Sequence, residues 1–206
     1  MKKKLRILAF FSQKGGSGKT TLAIHSAVAA SESANVVLVD CDPQESSAGW
    51  SLARESEKPM VLKGSPFTIA QIVEGAKAEG VDWLIIDCPP HAQAGVAQIL
   101  AHADLICVPV QPSALDISAL PRALEVIEAA KRPHFFVLNR TPARAVEVDQ
   151  AAEHLASQGD FCPVQIGERR AFSRALTGGL AVTEFEKGKA TAEIEDFWKY
   201  VKRKMT

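Results

Sequence analysis

One stretch constrains this chain more than any other: Phe11–Thr21, FSQKGGSGKTT, where three glycines fall within four residues. An apolar run, LRILAFF, leads into it, and an alanine- and leucine-rich segment follows. A glycine-rich turn between a strand and a helix lets backbone N–H groups converge on an anion, and the helix N-terminus adds its dipole. The stretch nearly matches the phosphate-binding pattern G-x-x-x-x-G-K-[ST]. Counting back from Gly18, the first glycine of that pattern should stand at position 13, where this chain has Gln13, with an additional lysine, Lys14, beside it.

The rest of the chain supplies the architecture that such a loop requires. Short apolar runs at Leu5–Phe11, Val36–Val39, Trp83–Ile86, Leu105–Val110 and Phe135–Leu138 read as strands covered on both faces. Between them, Thr20–Ser31, Ala48–Ser56, Ile69–Glu79, Gly95–Ala101, Ser118–Ala130 and Val146–Ser157 read as helices. A less regular stretch, Cys162–Ala190, precedes a final helix from about Thr191 to Met205. This alternation predicts an α/β fold: a doubly wound, mainly parallel sheet flanked by helices, of the P-loop NTPase type. With no internal repeat or linker, residues 1–206 are expected to form a single domain. Ligands of such sheets sit at the carboxyl ends of the strands.

Charge and cysteine usage narrow the class. Lys and Arg number 24 and Asp and Glu 24, so the net charge is zero. That excludes a protein coating nucleic acid over its whole surface, though not a local basic patch. Cys41, Cys88, Cys107 and Cys162 are widely spaced without a C-x-x-C and read as buried free thiols in a reducing cytoplasm. The start, MKKKLRILAFF, is too short in its apolar part and carries Arg6, so it reads as a strand with a solvated basic lead-in rather than a signal peptide. No run approaches the roughly 18 apolar residues of a membrane span. A cytoplasmic protein is expected.

The candidate site follows from the loop. Gly15, Gly16, Ser17 and Gly18 form the turn, Lys19 is placed to reach β- and γ-phosphates, and the Thr20 hydroxyl to bind Mg²⁺. VVLVDCDPQ ends the second run with Asp40 and Asp42, and WLIIDCPP ends the third with Asp87. Carboxylates there serve a Mg²⁺–nucleotide, one holding the metal through water and another orienting an attacking water. Alternation along an extended chain would put Asp40 and Asp42 on one side.

These residues resemble the ParA/MinD superfamily of ATPases. KGGSGKTT is similar to its deviant Walker A motif, VVLVDCDPQESSAGW to the ParA form of its second motif, and LIIDCPP to its Walker B. VPVQPSALDISAL and the small size resemble short plasmid-type, ParF-like ParA proteins without an N-terminal DNA-reading domain. The resemblance implies a slow, partner-stimulated ATPase that dimerises with ATP, binds DNA nonspecifically, works with a small DNA-binding or cargo-adaptor protein, and segregates plasmid or other large cargo, associated with the nucleoid. It implies that Lys14 reaches across a homodimer to the partner's nucleotide and that Thr21 contacts the α-phosphate. Asp42 would position the attacking water, Asp40 support the metal shell and Asp87 hold Mg²⁺ through water. Asn139 matches a position that reads the adenine edge, although an asparagine at a strand end is also an ordinary turn former.

Two basic clusters are candidates for DNA: Arg169, Arg170 and Arg174, followed by Lys187 and Lys189; and Lys199, Lys202, Arg203 and Lys204 on the last helix. Both also read as solvated helix faces. Ile194, Phe197, Trp198, Val201 and Met205 fall at helical spacing. Such a stripe either docks on the sheet or, as in MinD-like relatives, lies on a membrane; the acidic first turn of Glu193, Glu195 and Asp196 favours docking. A nitrogenase-iron-protein-like electron donor would need cluster-bridging cysteines, which Cys88 and Cys107 fit poorly.

Overall fold

The computed structural model describes residues 4–90, 95–143 and 145–206. The basic lead-in Met1–Lys3 lies outside the described residues. Seven strands, β1 (Arg6–Phe10), β2 (Val36–Asp40), β3 (Met60–Lys63), β4 (Trp83–Asp87), β5 (Leu105–Val110), β6 (His134–Thr141) and β7 (Ile166–Gly167), form one sheet in the order β3-β2-β4-β1-β5-β6-β7. Every pairing is parallel. The chain winds outward on one side of β1 and then crosses to the other, so the carboxyl end of β1 is the switch point at which such sheets bind ligands.

Alternation along the strands divides the core into two. Ile7, Ala9, Val37, Val39, Leu84, Ile86, Ile106 and Val108 face one layer, built by α3 (Ile69–Ala78), α4 (Val96–Leu100), α6 (Leu120–Ala130) and α7 (Val146–Gln158). Leu8, Phe10, Leu38, Ile85, Cys107, Phe135 and Val137 face the other, built by α1 (Lys19–Ser31), α2 (Ser46–Leu52), α8 (Arg170–Thr177), α9 (Val182–Phe185) and α10 (Lys189–Lys204). The central strands are therefore apolar at nearly every position, which is why they were legible as continuous runs.

The last helix docks. Phe197 meets Phe10 and Phe135 at ring-centroid distances of 6.3 and 6.2 Å, and Trp198 meets Trp83 at 4.7 Å. Ile194, Phe197 and Val201 are fully buried. Each such side chain contributes about 1.5–3 kcal/mol of apolar burial, so the stripe belongs to the core.

Several expected elements are corrected. The helix expected at Ala48–Ser56 is α2, Ser46–Leu52, because Arg54 turns back to the carbonyls of Lys58 and Gly179. The helix expected from Ser118 is two: α5 (Ala114–Ser118), capped by Ser113, and α6, which begins at Leu120 with a proline in its first turn. The irregular stretch contains β7, α8 and α9. The strand β3 was not expected; its residues are half-buried or exposed, so it lacks the apolar run of an interior strand. It forms one border of the sheet, bracketed by Pro59 and Pro66, and the two-residue β7 forms the other.

Candidate functional site

The loop between β1 and α1 is closed by its own side chains. Ser12 Oγ shares a 2.5 Å hydrogen bond with Ser17 Oγ and donates to the Lys14 carbonyl at 3.1 Å. Gly16 and Gly18 take left-handed φ values of 80° and 95°, which a β-carbon would strain. Gly18 precedes the first residue of α1, so the free N–H groups of that helix end open at the loop. Asn139 Nδ2, at the end of β6, donates to the Ser17 carbonyl at 2.7 Å, and Gln111 Nε2, after β5, donates to the Gly16 carbonyl at 2.7 Å. Both neighbours of the glycine turn thus brace it from strand ends.

A cleft of about 600 Å³ opens over this loop, lined by Gly15, Gly16, Gly18, Lys19, Thr20, Thr21, Asp42, Asn139 and Arg140, with Glu168–Arg170 at its rim. Gly15 and Gly16 face open space. Lys19 is buried, and desolvation lowers its pKa against the opposing pull of the Asp87 and Asp42 carboxylates. A desolvated ammonium beside a glycine cradle is built to meet a strong anion.

The register aligns Asp40 and Asp87 as neighbours at the carboxyl ends of β2 and β4. Asp87 is fully buried, and burial raises its pKa to about 7 although the Thr20 and Ser47 hydroxyls and Lys19 pull it down. Ser47 Oγ donates to Asp87 Oδ2 at 2.8 Å, while Oδ1 is buried without a hydrogen-bond partner. A buried carboxylate oxygen left unpartnered beside a threonine hydroxyl and a glycine cradle fits a cation and its water shell. Among the described residues, no three His, Cys, Asp or Glu side chains gather as a self-sufficient metal cage. Mg²⁺ needs none, since it is held by one or two protein groups together with phosphate oxygens and water. Thr20 and Asp87 are the residues here that could hold it.

Asp40 and Asp42 both line a second pocket beside the turn that follows β2, and Asp42 also lines the cleft. The strand ends at Asp40, and Asp42 N donates back to Asp40 Oδ1 at 3.1 Å while Ala48 N donates to Oδ2 at 2.8 Å. Both oxygens of Asp40 therefore hold the turn, and burial raises its pKa against those amide bonds. Asp42 is half-buried and lines the cleft.

Lys14 pairs with Asp116 on α5, whereas Lys19 lines the cleft. Asn139 lines the cleft, with its amide nitrogen committed to the loop. Arg169, paired with Glu193, and Arg170 lie at the cleft rim, with Arg174 exposed one turn further along α8. Lys199, Lys202 and Arg203 sit on the far half of α10, whose start is held at β7 by Glu193 and whose end is held by the Lys204–Asp160 pair. Lys199 and Arg203 lie six and ten residues beyond Glu193 along α10, about 9 and 15 Å of helix rise.

Ser47, Gln111, Asp116, Arg140 and Glu168 were missed as site residues. Gln111, Asp116 and Glu168 follow β5 and β7, and Arg140 lies near the carboxyl end of β6, all on one side of β1, so the switch-point rule alone could have flagged them. Arg140 holds a left-handed φ of 53° and bridges Gly16 O at 3.5 Å and Glu168 at 2.8 Å. Nothing in its residue type signalled this.

Comparison with known proteins agrees with the geometry. Residues 8–182 match the family model for the CobQ/CobB/MinD/ParA nucleotide binding domain. The maintenance of carboxysome distribution protein A of Halothiobacillus neapolitanus is 27% identical over 90% of this chain and 91% of its own length. Protein ParA of Rhizobium radiobacter is 32% identical over 92% of this chain and 91% of its own length. Among solved structures, the septum site-determining protein MinD of Pyrococcus horikoshii, complexed with Mg-ADP, superposes with a TM-score of 0.76 at 18% identity, covering 96% of each chain. The chain is therefore a member of the CobQ/CobB/MinD/ParA nucleotide-binding family, a ParA/MinD-type ATPase.

Proposed function

We propose that this chain is an ATP-timed switch that positions a large cargo: it binds Mg²⁺–ATP, pairs with a second copy, holds nonspecific DNA while paired, and is reset by hydrolysis that a partner protein accelerates. The observation that carries this reading is the division between two lysines of one loop. Lys19 lies buried in the cleft, whereas Lys14 lies half-exposed outside it, where a second subunit can be met.

The residues divide the work. Loop amides and Lys19 bind the phosphates, Thr20 and Asp87 hold Mg²⁺, Thr21 and Asn139 border the nucleotide, and Asp42 orients the attacking water. Asp40 acts by shaping the turn that carries Asp42. Magnesium, when bound, supplies positive charge to the β- and γ-phosphate oxygens. Lys14 of a second copy would add the charge that an arginine finger supplies elsewhere. Turnover is expected to be slow without a partner, because a switch must hold its ATP state long enough to act.

Kinship to proteins named for carboxysome distribution and to ParA supports cargo positioning without fixing the cargo as a plasmid. The rim cluster Arg169, Arg170 and Arg174 is the DNA surface we favour, with Lys199, Lys202 and Arg203 as a second, separate contact, on nucleoid DNA in the cytoplasm. Burial of the α10 stripe favours DNA over a membrane, and burial of Cys88 and Cys107 disfavours a shared metal cluster.

Sedimentation of the wild type, Lys19→Ala and Lys14→Ala with ATP, with ADP and without nucleotide tests the reading. The expected result is a dimer with ATP in the wild type only, and ATP-dependent pelleting with DNA but not with anionic liposomes. A Lys14→Ala chain that dimerises normally, or ATP-dependent capture by liposomes without DNA binding, would overturn it.

A further inference from the structure

A separate cavity of about 480 Å³ opens at the amino ends of the strands, opposite the end that carries the glycine loop. Its volume is that of a small-molecule site. The floor is apolar: Leu5 and Ile7 around the start of β1, Val73 on α3 and Val81 before β4 are core residues whose edges reach the cavity. The rim is cationic. Lys4, Lys77 and Arg132 come to it from before β1, from α3 and from before β6, and His102 joins them from before β5.

Against the three cations stands one carboxylate among the described lining residues, Asp104, whose Oδ2 accepts the Ile7 N–H at 2.9 Å. Lys77 is paired with Glu74, three residues back on the same helix, and both side chains are more than half exposed. Such a pair yields readily to a better anion. Lys4 and Arg132 have no side-chain partner among the described residues. The cavity thus carries uncompensated positive charge over an apolar floor.

That combination suits one kind of ligand. A bare inorganic anion would leave the floor wet, and an uncharged hydrocarbon would leave the cations unanswered. Duplex DNA presents its charges along an extended track and gains nothing from an apolar floor. An apolar body bearing one carboxylate satisfies both halves: its body takes the floor out of water, and the Arg132 guanidinium meets its two oxygens.

We propose that this cavity binds a small amphipathic carboxylate, a hydrocarbon or aromatic body ending in one carboxylate group. The proposal goes beyond the switch reading and stands without it. Ile7 lies at this end of β1 and Ser12 just past the other, roughly 16 Å along the chain, so a nucleotide and the carboxylate fit one subunit together.

The test is calorimetric titration of the full chain with decanoate, kept below its micelle concentration, with decyltrimethylammonium as the chain-matched cation. The wild type should bind one decanoate, and the cation at least tenfold more weakly. Shortening the acid by two carbons at a time should weaken binding about tenfold per step. Arg132→Glu should weaken decanoate binding at least tenfold, and Arg132→Lys should retain most of it, with ATP affinity equal in all three chains. Methyl NMR of the wild type locates the ligand without any variant: decanoate should shift the signals of Leu5, Ile7, Val73 and Val81 and leave those of Thr20 and Thr21 in place. No binding by the wild type, equal binding of the cation, an Arg132→Glu chain that binds decanoate as well as the wild type, or shifts confined to the nucleotide cleft each overturns the proposal. Displacement of bound decanoate by duplex DNA also overturns it, since the cations would then serve a polyanion.

Discussion

The carboxamide of Asn139 occupies the space that a β-carbon on Gly18 would need, and its nitrogen donates to Ser17 O, one residue away. A strand end on the far side of β5 therefore holds the glycine turn at its tightest point, where φ is 95°. Gly18→Ala should abolish nucleotide binding through both clash and strain. Asn139→Ala should keep the fold, cost about 1 kcal/mol of stability for the lost bond, and weaken nucleotide affinity severalfold. Calorimetric titration with ATP checks both; unchanged affinity in Asn139→Ala would remove the bracing role.

His25 carries the clearest pH dependence outside the phosphate site. It is fully buried on α1, its Nδ1–H donating to Thr21 O at 2.7 Å while Nε2 has no partner and the ring meets Phe172 edge-on. Burial lowers its pKa to about 4 from 6.5, despite the Thr21 bond and Glu184. The unfolded chain thus binds the extra proton first. The stabilising difference is present above pH 6.5 and is lost as pH falls from there to about 4. The loss amounts to about 3 kcal/mol. Urea denaturation between pH 4 and 7 should show this slope in the wild type and not in His25→Gln.

Much of this was readable from sequence, and the remainder was not for identifiable reasons. β1, β2, β4, β5 and β6 are interior strands whose neighbours demand apolar side chains on both faces, so each announced itself. β3 is at the border and answers to solvent on one side, so Met60–Lys63 carries no comparable signature. The loop and its carboxylates were legible because phosphate chemistry restricts residue types. The contacts of Asp116, Ser47 and Arg140 were not, because each depends on which distant segments the fold brings together.

Ser47 should prove more than a helix residue. Its hydroxyl is one of the groups holding the Asp87 carboxylate down, so Ser47→Ala leaves that buried carboxylate short of a donor. The Mg²⁺ concentration needed for half-maximal ATPase activity should change severalfold, with ATP affinity in the absence of metal nearly unaltered. Equal magnesium titrations of the variant and the wild type would remove Ser47 from the site.

Arg54 joins α2 to α9. Its guanidinium, stacked on Trp50, makes paired bonds of 2.9 and 2.7 Å to Glu184 and another of 3.0 Å to Gly179 O. Burial pushes the Glu184 pKa up, but Arg54 and the Ala181 amide outweigh it and hold the carboxyl below its usual range. Arg54→Ala should cost about 2 kcal/mol, measured by denaturation, and Glu184→Gln in the same background should cost little more.

The two borders of the sheet limit how this protein can assemble. A four-residue strand flanked by Pro59 and Pro66 at one side, with Lys63 paired to Glu45, and a two-residue strand at the other offer little backbone for an incoming strand. Sideways growth is closed. Any ATP-induced polymer must therefore be stacked from whole subunits through helix faces and the cleft side, and aligned fibres of it should lack the roughly 4.8 Å repeat that strand-by-strand assembly imposes.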